Sequence, residues 1–325
     1  MDPLQSFCPN MDCPARGHTG RGNIRIHCHK RGRLRCTVCK KTFRHRRGTP
    51  FLHVKTATDI MALTLALIAH GCPVSAIEAV FGLQRRTVRD WLRKAGQHCR
   101  GVHEHLVLQP RPLQHVEVDE VFVRRQGGRQ QRRGRLVYLF SALCVSTRLW
   151  LGGFIETRRD EKAATRLARL VHRAAEMGPL LVISDGFRGY RAAFGRVFRF
   201  SVRRGRAGRP RLARWSSLVV MQQVRQHGLV HLAQGTWAQF VVLWRQVGHR
   251  VVSTSYIERL NATFRQRLAM LARRTRHVAR TRETLEAGLY LLGCIYNFCH
   301  VHRRLGRTPA QALGIASEPW SVGEL

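Results

Sequence analysis

The C-terminal third of the chain contains a segment whose apolar residues repeat with the period of an α-helix. The segment is STSYIERLNATFRQRLAML, residues 253–271. Side chains at this spacing form one stripe that a protein core can cover. The stripe consists of Ile257, Leu260, Phe264, Leu268 and Leu271. The pattern therefore predicts a helix with one buried face.

Three polar side chains share the adjoining face of this helix. Glu258, Asn261 and Arg265 are spaced so that they line up along it. An exposed helix with charged pairs is the commoner explanation for such a segment. A functional interpretation requires other parts of the chain to bring further carboxylates to Glu258.

After Pro110 and Pro112 the pattern changes to that of strands. The segment HVEVDEVFV alternates between apolar and polar residues, whereas LLVIS is apolar throughout, which is typical of a central strand. The predicted elements are strands at 115–123, 136–145 and 149–155, a helix at 156–176, a strand at 180–184 and a short helix at 187–194. Three antiparallel strands, a helix and a parallel strand follow each other in this order in a ribonuclease H-like domain.

Two carboxylates fall at matching places in that topology. Asp119 lies in the first strand, and Asp185 lies just past the fourth. Taken singly, Asp185 before Gly186 could be a turn residue and Asp119 an exposed strand residue. In a ribonuclease H-like sheet these strands are neighbours, so we expect the two carboxylates to converge.

The region between residues 51 and 110 predicts three helices, at 58–70, 74–81 and 84–94. In the second, we expect Ile77, Val80 and Phe81 to face inward. A short helix, a tight turn at Gly82 and a basic helix form the layout of a helix-turn-helix, whose second helix enters the major groove of DNA. A generic three-helix unit with a solvated charged face is the alternative. The predicted DNA-contacting residues of the third helix are Arg85, Arg86, Arg89 and Arg93.

The pattern is least regular between residues 196 and 250. The basic segment 203–214 predicts a solvated loop or a track for nucleic-acid phosphates. Residues 219–244 are compatible with helix, and form either an insertion or a support for the helix that carries Glu258. A further helix is predicted at 282–300, followed by a turn, a short helix and a peripheral tail around Trp320.

Half of the ten cysteines lie in the first fifty residues. Cys8 and Cys13 form one close pair, and Cys36 and Cys39 form another, as in a four-cysteine zinc ribbon with a structural Zn²⁺. The basic segment between the pairs includes Cys28, His27 and His29, any of which could replace a ligand. Free thiols in a disordered basic arm are the alternative.

The charge of the chain indicates a polyanionic partner. Lys and Arg number 57 against 19 Asp and Glu, a net charge of +38. Nucleic acid fits such an excess, because each neutralised phosphate releases counterions. There is no apolar run of membrane-spanning length and no signal-peptide pattern at the start, so we expect a cytoplasmic, nucleoid-associated protein.

Asp119, Asp185 and Glu258 form a set that could bind two Mg²⁺ (or Mn²⁺) ions for phosphoryl transfer. The segments VEVDEVF, ISDGFRGY and STSYIERLNATFRQRL resemble the three carboxylate blocks of bacterial insertion-sequence DDE transposases. With the cysteine pairs, the basic helix and the closing NFCHVHRRLGRTPAQALGI, the chain is most similar to the insertion-sequence-one group. The similarity extends over about residues 8–315. The long Arg-rich interval between Asp185 and Glu258 departs from it.

The resemblance implies cleavage at the ends of a DNA element and transfer of the freed 3′-hydroxyl to target DNA. It assigns the metals to the three carboxylates, and contacts with terminal nucleotides to Asn261 and Arg265. It also implies recognition of terminal repeats by the ribbon and the basic helix, and a homodimer or larger assembly. The alternatives are a nuclease that cuts without joining, and a DNA-binding regulator without catalytic activity.

The expected organisation is thus multidomain: a zinc ribbon (1–50), an all-α helix-turn-helix domain (51–110), an α/β ribonuclease H-like catalytic domain (111–316) with an insertion near 200–250, and a tail (317–325).

Overall fold

The computed structural model describes residues 2–10, 12–125, 135–202, 211–224, 229–248, 251–273 and 275–325. The chain divides into two compact units, Met1–Met61 and Ala62–Leu325. The finer division into domains ending near residues 50, 110 and 316 stays a prediction. Among the described residues, no helix is both long and apolar enough to cross a membrane.

The first unit contains a three-stranded antiparallel sheet. Its strands, in spatial order, are β1 (Ile24–Cys28), β2 (Arg33–Cys36) and β3 (Thr42–Arg44). Leu34 and Phe43 are buried beside cysteine side chains in a small core. Strands β1 and β2 run through the basic segment between the two cysteine pairs, and β3 follows the second pair.

Three helices follow: α1 (Thr58–Ala69), α2 (Val74–Phe81) and α3 (Arg85–Leu106). The third is longer than the predicted 84–94, because its buried face continues through Ala95, Cys99 and His103. This face packs along the helix at Arg282–Cys294. The prediction for α2 is wrong in one respect. Ile77 is buried, but Val80 is 76% exposed, and Ile77 is the one fully buried residue of this short helix.

The main sheet is mixed. In the described part of the chain, its six strands are β4 (His115–Arg125), β5 (Arg135–Cys144), β6 (Trp150–Glu156), β7 (Leu180–Asp185), β10 (Leu218–Val224) and β11 (Leu229–Gln234). Between β7 and β10 in the sequence, β8 (Arg199–Val202) and β9 (Arg211–Arg214) form a separate two-stranded antiparallel sheet. The spatial order is β11-β10-β7-β4-β5-β6, with β4, β7 and β10 mutually parallel and the other neighbours antiparallel. The fold is therefore mixed α/β, as predicted.

The segment 219–244, whose pattern is compatible with helix, is only partly helical. Residues 218–224 and 229–234 are strands of the main sheet, and a helix begins at Trp237. Residues 218–222 of β10 are all buried. A strand covered on both faces shows no alternation and cannot be distinguished from a buried helix by its pattern. Part of the predicted basic loop, residues 203–210, lies outside the described residues.

The remaining helices pack on this sheet and on each other. In the described residues they are α4 (Glu161–Ala174), α5 (Arg188–Val197), α6 (Trp237–Val247), α7 (Ser255–Arg267), α8 (Arg282–Cys294), the π-helix Ile295–Cys299 and the short α9 (Pro309–Ala312). The predicted helix 253–271 ends at Arg267, and a 3-10 turn completes the segment. The tail is less peripheral than expected, because Trp320 stacks on the buried Phe298 with ring centroids 4.6 Å apart.

Candidate metal and catalytic site

Two neighbouring parallel strands bring the predicted aspartates together. Asp119 lies in β4, and Asp185 is the last residue of β7. Glu120, which no local pattern of the sequence singles out, joins them. One carboxylate oxygen from each of these three residues lies within 4.8 Å of the others, which is close enough to share a metal ion.

A guanidinium group contacts this carboxylate cluster. Arg159 Nη2 donates a hydrogen bond of 3.0 Å to Asp185 Oδ2, and Arg159 also forms an ion pair with Glu120. The buried hydroxyl of Tyr190 donates to the other oxygen of Glu120. The guanidinium carbon lies 4.2 Å from the centroid of the Phe187 ring. Arg159 thus neutralises part of a cluster that would otherwise repel itself.

The electrostatics of the cluster favour a cation. Burial, and then the charges of Glu120, Asp185 and Glu258, raise the pKa of Asp119 to about 7. Burial and Asp185 also raise the pKa of Glu120. Each raised pKa means that the positive charge near the ionised carboxylate is not enough to offset its burial and its acidic neighbours. A divalent cation would provide that charge, and carboxylate oxygens are the ligands that Mg²⁺ prefers, so the residues fit such an ion.

Helix α7 completes the site. Asn261 Nδ2 donates a hydrogen bond of 3.0 Å to Asp119 Oδ2, and Thr254 Oγ1 donates one of 2.6 Å to Glu258 Oε1. Asp119, Asp185, Glu258 and Asn261 all line one cleft of about 490 Å³. The structure therefore brings the three predicted carboxylates into a single cavity, although Glu258 lies outside the tight group that Glu120 joins.

Glu117 anchors this helix to the sheet. Its side chain is fully buried, and Oε2 accepts a hydrogen bond of 2.7 Å from the backbone N–H of Ile257. Burial raises the pKa of Glu117 to about 7, although backbone N–H groups of Ile257 and Tyr256 act in the opposite direction. Glu117 and Asp119 are two positions apart on β4 and therefore share one face of the strand. That face both holds the start of α7 and supplies a candidate metal ligand.

Arg265 lines the same cleft, as the helical spacing predicts. Its guanidinium carbon lies 6.0 Å from the centroid of the Phe122 ring. Burial, and then the charge of Arg273, lowers its pKa. The cleft thus combines an acidic end with a basic wall.

The four predicted cysteines form one cluster in the first unit. Cys8 Sγ is 3.6 Å from Cys39 Sγ, and Cys13 Sγ is 3.9 Å from Cys36 Sγ. Sulfurs bound to a tetrahedral zinc at about 2.3 Å would be about 3.8 Å apart. Cys28 is not part of the cluster. The group can hold a structural metal such as zinc.

These thiols differ in their acidity. Burial raises the pKa of Cys8 to about 12. At Cys36 burial acts in the same direction, but hydrogen bonds with the backbone N–H groups of Cys39 and Val38 and with the thiols of Cys8 and Cys13 together outweigh it and lower the pKa to about 7. Metal binding requires thiolates, so a cation is needed to keep all four sulfurs ionised together.

The four arginines predicted to contact DNA all lie on the surface of α3. They differ in their partners. Arg85 forms an ion pair with Glu78, and Arg93 with Asp90. Within the described parts of the chain, neither Arg86 nor Arg89 forms an ion pair.

Known family models and curated protein sequences give no match to this chain. The interpretation of the cleft therefore depends on its own chemistry.

Proposed function

We propose that the protein is a DNA transposase that cleaves the ends of its element and joins them to target DNA. The observation that carries the proposal is that Asp119, Asp185 and Glu258 line one cleft together with Asn261 and Arg265. These residues come from two strands and a helix, far apart in the sequence. Their assembly gives the acidic and basic groups that phosphodiester chemistry requires.

The sheet supports this proposal. Three antiparallel strands, β4 to β6, are followed by a helix and by β7, which is parallel to β4. This is the order that we expect of a ribonuclease H-like domain. In such a domain, Asp119 and Asp185 stand on adjacent strands at the catalytic position.

Asp119, Asp185 and Glu258 would hold two Mg²⁺ or Mn²⁺ ions. When bound, such ions stabilise the attacking and leaving oxygens of an in-line phosphoryl transfer. Asn261 would fix the carboxylate of Asp119 through its hydrogen bond. Arg265 would contact the phosphate of the terminal nucleotide. Joining replaces one P–O bond with another, so it needs no nucleotide triphosphate.

The remaining features supply DNA binding. The chain has 57 Lys and Arg residues and only 19 Asp and Glu residues, and this excess of positive charge favours contact with the phosphates of a long duplex. The cysteine cluster with Zn²⁺ and the exposed face of α3 would recognise the element ends. Two ends have to be processed together, so we expect a homodimer or a larger assembly.

An excision assay tests the proposal. A marker flanked by the DNA segments that border the gene would be excised in cells that express the wild-type chain. Asp119→Asn, Asp185→Asn and Glu258→Gln should each abolish this excision. Wild-type excision by any of the three variants would contradict the catalytic assignment.

Glu120 requires a comparison of its own, because its carboxylate lies in the same tight group as those of the two aspartates. We expect Glu120→Gln to retain measurable excision, since Glu120 already accepts hydrogen bonds from Arg159 and Tyr190. Abolished excision in Glu120→Gln, together with full activity in Glu258→Gln, would assign the third ligand to Glu120.

A further inference from the structure

A second cavity, of about 510 Å³, lies between α3 and the segment that leads into α8. Its lining includes Arg85, Arg89, Arg276 and Arg280. Among the described residues that line it, none is Asp or Glu. The cavity is therefore a concentration of positive charge that is distinct from the carboxylate cleft.

Among the residues that the structure describes, three of these four arginines have no partner in a direct ion pair. Arg85 is bound to Glu78 through Nε and Nη2, at 2.9 and 2.8 Å. In the described part of the chain, Arg89, Arg276 and Arg280 form no ion pair. Burial, and then the charges of Arg280 and Arg85, lowers the pKa of Arg89. The fold holds like charges together at a cost that an anion would remove.

The residues that line the cavity indicate the kind of anion that it binds. Its inner wall is aliphatic, with Ile68, Leu92 and Leu268. No Phe, Tyr or Trp is among the described lining residues, so the cavity lacks the rings on which an unpaired base usually stacks. Guanidinium groups that converge on one cavity match the oxygens of a phosphate.

We propose that this cavity binds a phosphate of the DNA backbone through Arg89, Arg276 and Arg280. Naming DNA as the source of the phosphate depends on the proposed function. The inference changes the role of Arg89 from a reader of bases to a residue that positions the duplex. It also means that one duplex contacts both α3 and the segment before α8.

The salt dependence of DNA binding tests this proposal. The full chain would be titrated onto a fluorescein-labelled DNA duplex by anisotropy, without Mg²⁺, over a series of NaCl concentrations. One variant combines Arg89→Gln, Arg276→Gln and Arg280→Gln. The matched control combines Arg169→Gln, Arg173→Gln and Arg245→Gln, which are exposed arginines of α4 and α6 outside the cavity.

We expect the slope of log K against log salt to become shallower in the cavity variant, by about 0.9 for each phosphate that the variant no longer neutralises. The control should keep the wild-type slope, and the corresponding Lys substitutions at the three cavity positions should restore most of it. If the triple variant unfolds at a lower temperature than the wild type, the salt dependence of DNA binding is compared between the single variants Arg280→Gln and Arg173→Gln instead.

Equal slopes in the cavity and control variants would overturn the inference and leave the proposed function standing. A wild-type chain that binds no DNA would overturn both.

Discussion

Asn261 Nδ2 donates a hydrogen bond of 3.0 Å to Asp119 Oδ2, joining residues that are 142 positions apart in the chain. Both side chains are buried. Asn261 lies about one turn of α7 beyond Glu258. The bond therefore helps to hold the part of α7 from which Glu258 lines the cleft. Removing the amide would take a hydrogen-bond donor from the carboxylate of Asp119 and leave α7 less firmly placed.

We expect Asn261→Ala to reduce strand transfer at least about tenfold, because a group that orients a metal ligand is removed. The free energy of unfolding should fall by about 1–2 kcal/mol, since the variant lacks a buried hydrogen bond to the carboxyl group of Asp119. Kinetic assays and urea unfolding would measure the two effects. Gln266→Ala, an exposed position on the same helix, is the control. Full activity in Asn261→Ala would show that the bond does not position the site.

The raised pKa of Asp119 predicts a pH-dependent stability. Its pKa is about 7 in the folded protein and near 4 when unfolded. Between these values the folded state binds a proton that the unfolded state has released, so this group destabilises the fold as pH rises from about 4 to about 7. Asp119→Asn should therefore be more stable than the wild type above pH 7, by roughly 1 kcal/mol or more without divalent metal.

This advantage should disappear near pH 4, and thermal unfolding across the pH range would measure it. Asp90→Asn provides a control of opposite sign. Hydrogen bonds from Lys94 and Arg93 lower the pKa of Asp90. Asp90 therefore stabilises the fold above about pH 4, and this stabilisation disappears on acidification. If the Asp119→Asn variant were less stable than the wild type at pH 7 to 8, the ionised carboxylate of Asp119 would not destabilise the metal-free fold, which would contradict this interpretation of the cluster.

Arg159 predicts an effect on metal affinity. Its guanidinium holds Asp185 and Glu120 in ion pairs and so competes with a cation for the same oxygens. Arg159→Gln should tighten Mn²⁺ binding a few-fold, because a partly exposed ion pair contributes about 1 kcal/mol or less. Calorimetric titration would measure this. Arg158→Gln, at the adjacent exposed position, should leave the affinity unchanged, and weaker binding in Arg159→Gln would refute the competition.

Several parts of the site were predictable from local patterns. The alternation of HVEVDEVFV and the apolar run LLVIS each indicate one strand. Their pairing is predicted from the order of three antiparallel strands, a helix and a further strand, which in a ribonuclease H-like sheet places the first and fourth strands side by side. Asp119 and Asp185 could therefore be placed on neighbouring strands, and the spacing of Glu258 and Asn261 on one helix face follows from its period.

Other parts required the folded chain. Glu120 forms its contacts with Arg159 and Tyr190, which are 39 and 70 residues away, and no local pattern links these positions. Glu117 could have been noticed as a carboxylate within a buried strand, but its acceptor role depends on where α7 begins. Strand β10 is not visible in the sequence pattern, because burial on both faces removes the alternation that marks a strand.

The cysteine cluster predicts that the chain contains a metal. Purified protein should carry one zinc ion, and Cys13→Ser or Cys36→Ser should abolish zinc binding. Hydrogen exchange in the first unit should then increase strongly, since a structural zinc contributes much of the folding energy of such a small unit. Cys28→Ser, which alters a cysteine outside the cluster, should keep the metal. An equal reduction of zinc content in Cys28→Ser would contradict the ligand set.

The central claim concerns the chemistry of the cleft, and strand transfer with pre-cut element ends tests it most directly. Wild-type protein, Mg²⁺ and a supercoiled target should give products in which the 3′-hydroxyl ends are joined to target DNA, and Asp119→Asn, Asp185→Asn and Glu258→Gln should give none. Cleavage of DNA without any joined product would instead indicate a nuclease, and joined products from any of the three variants would contradict the assignment of the site.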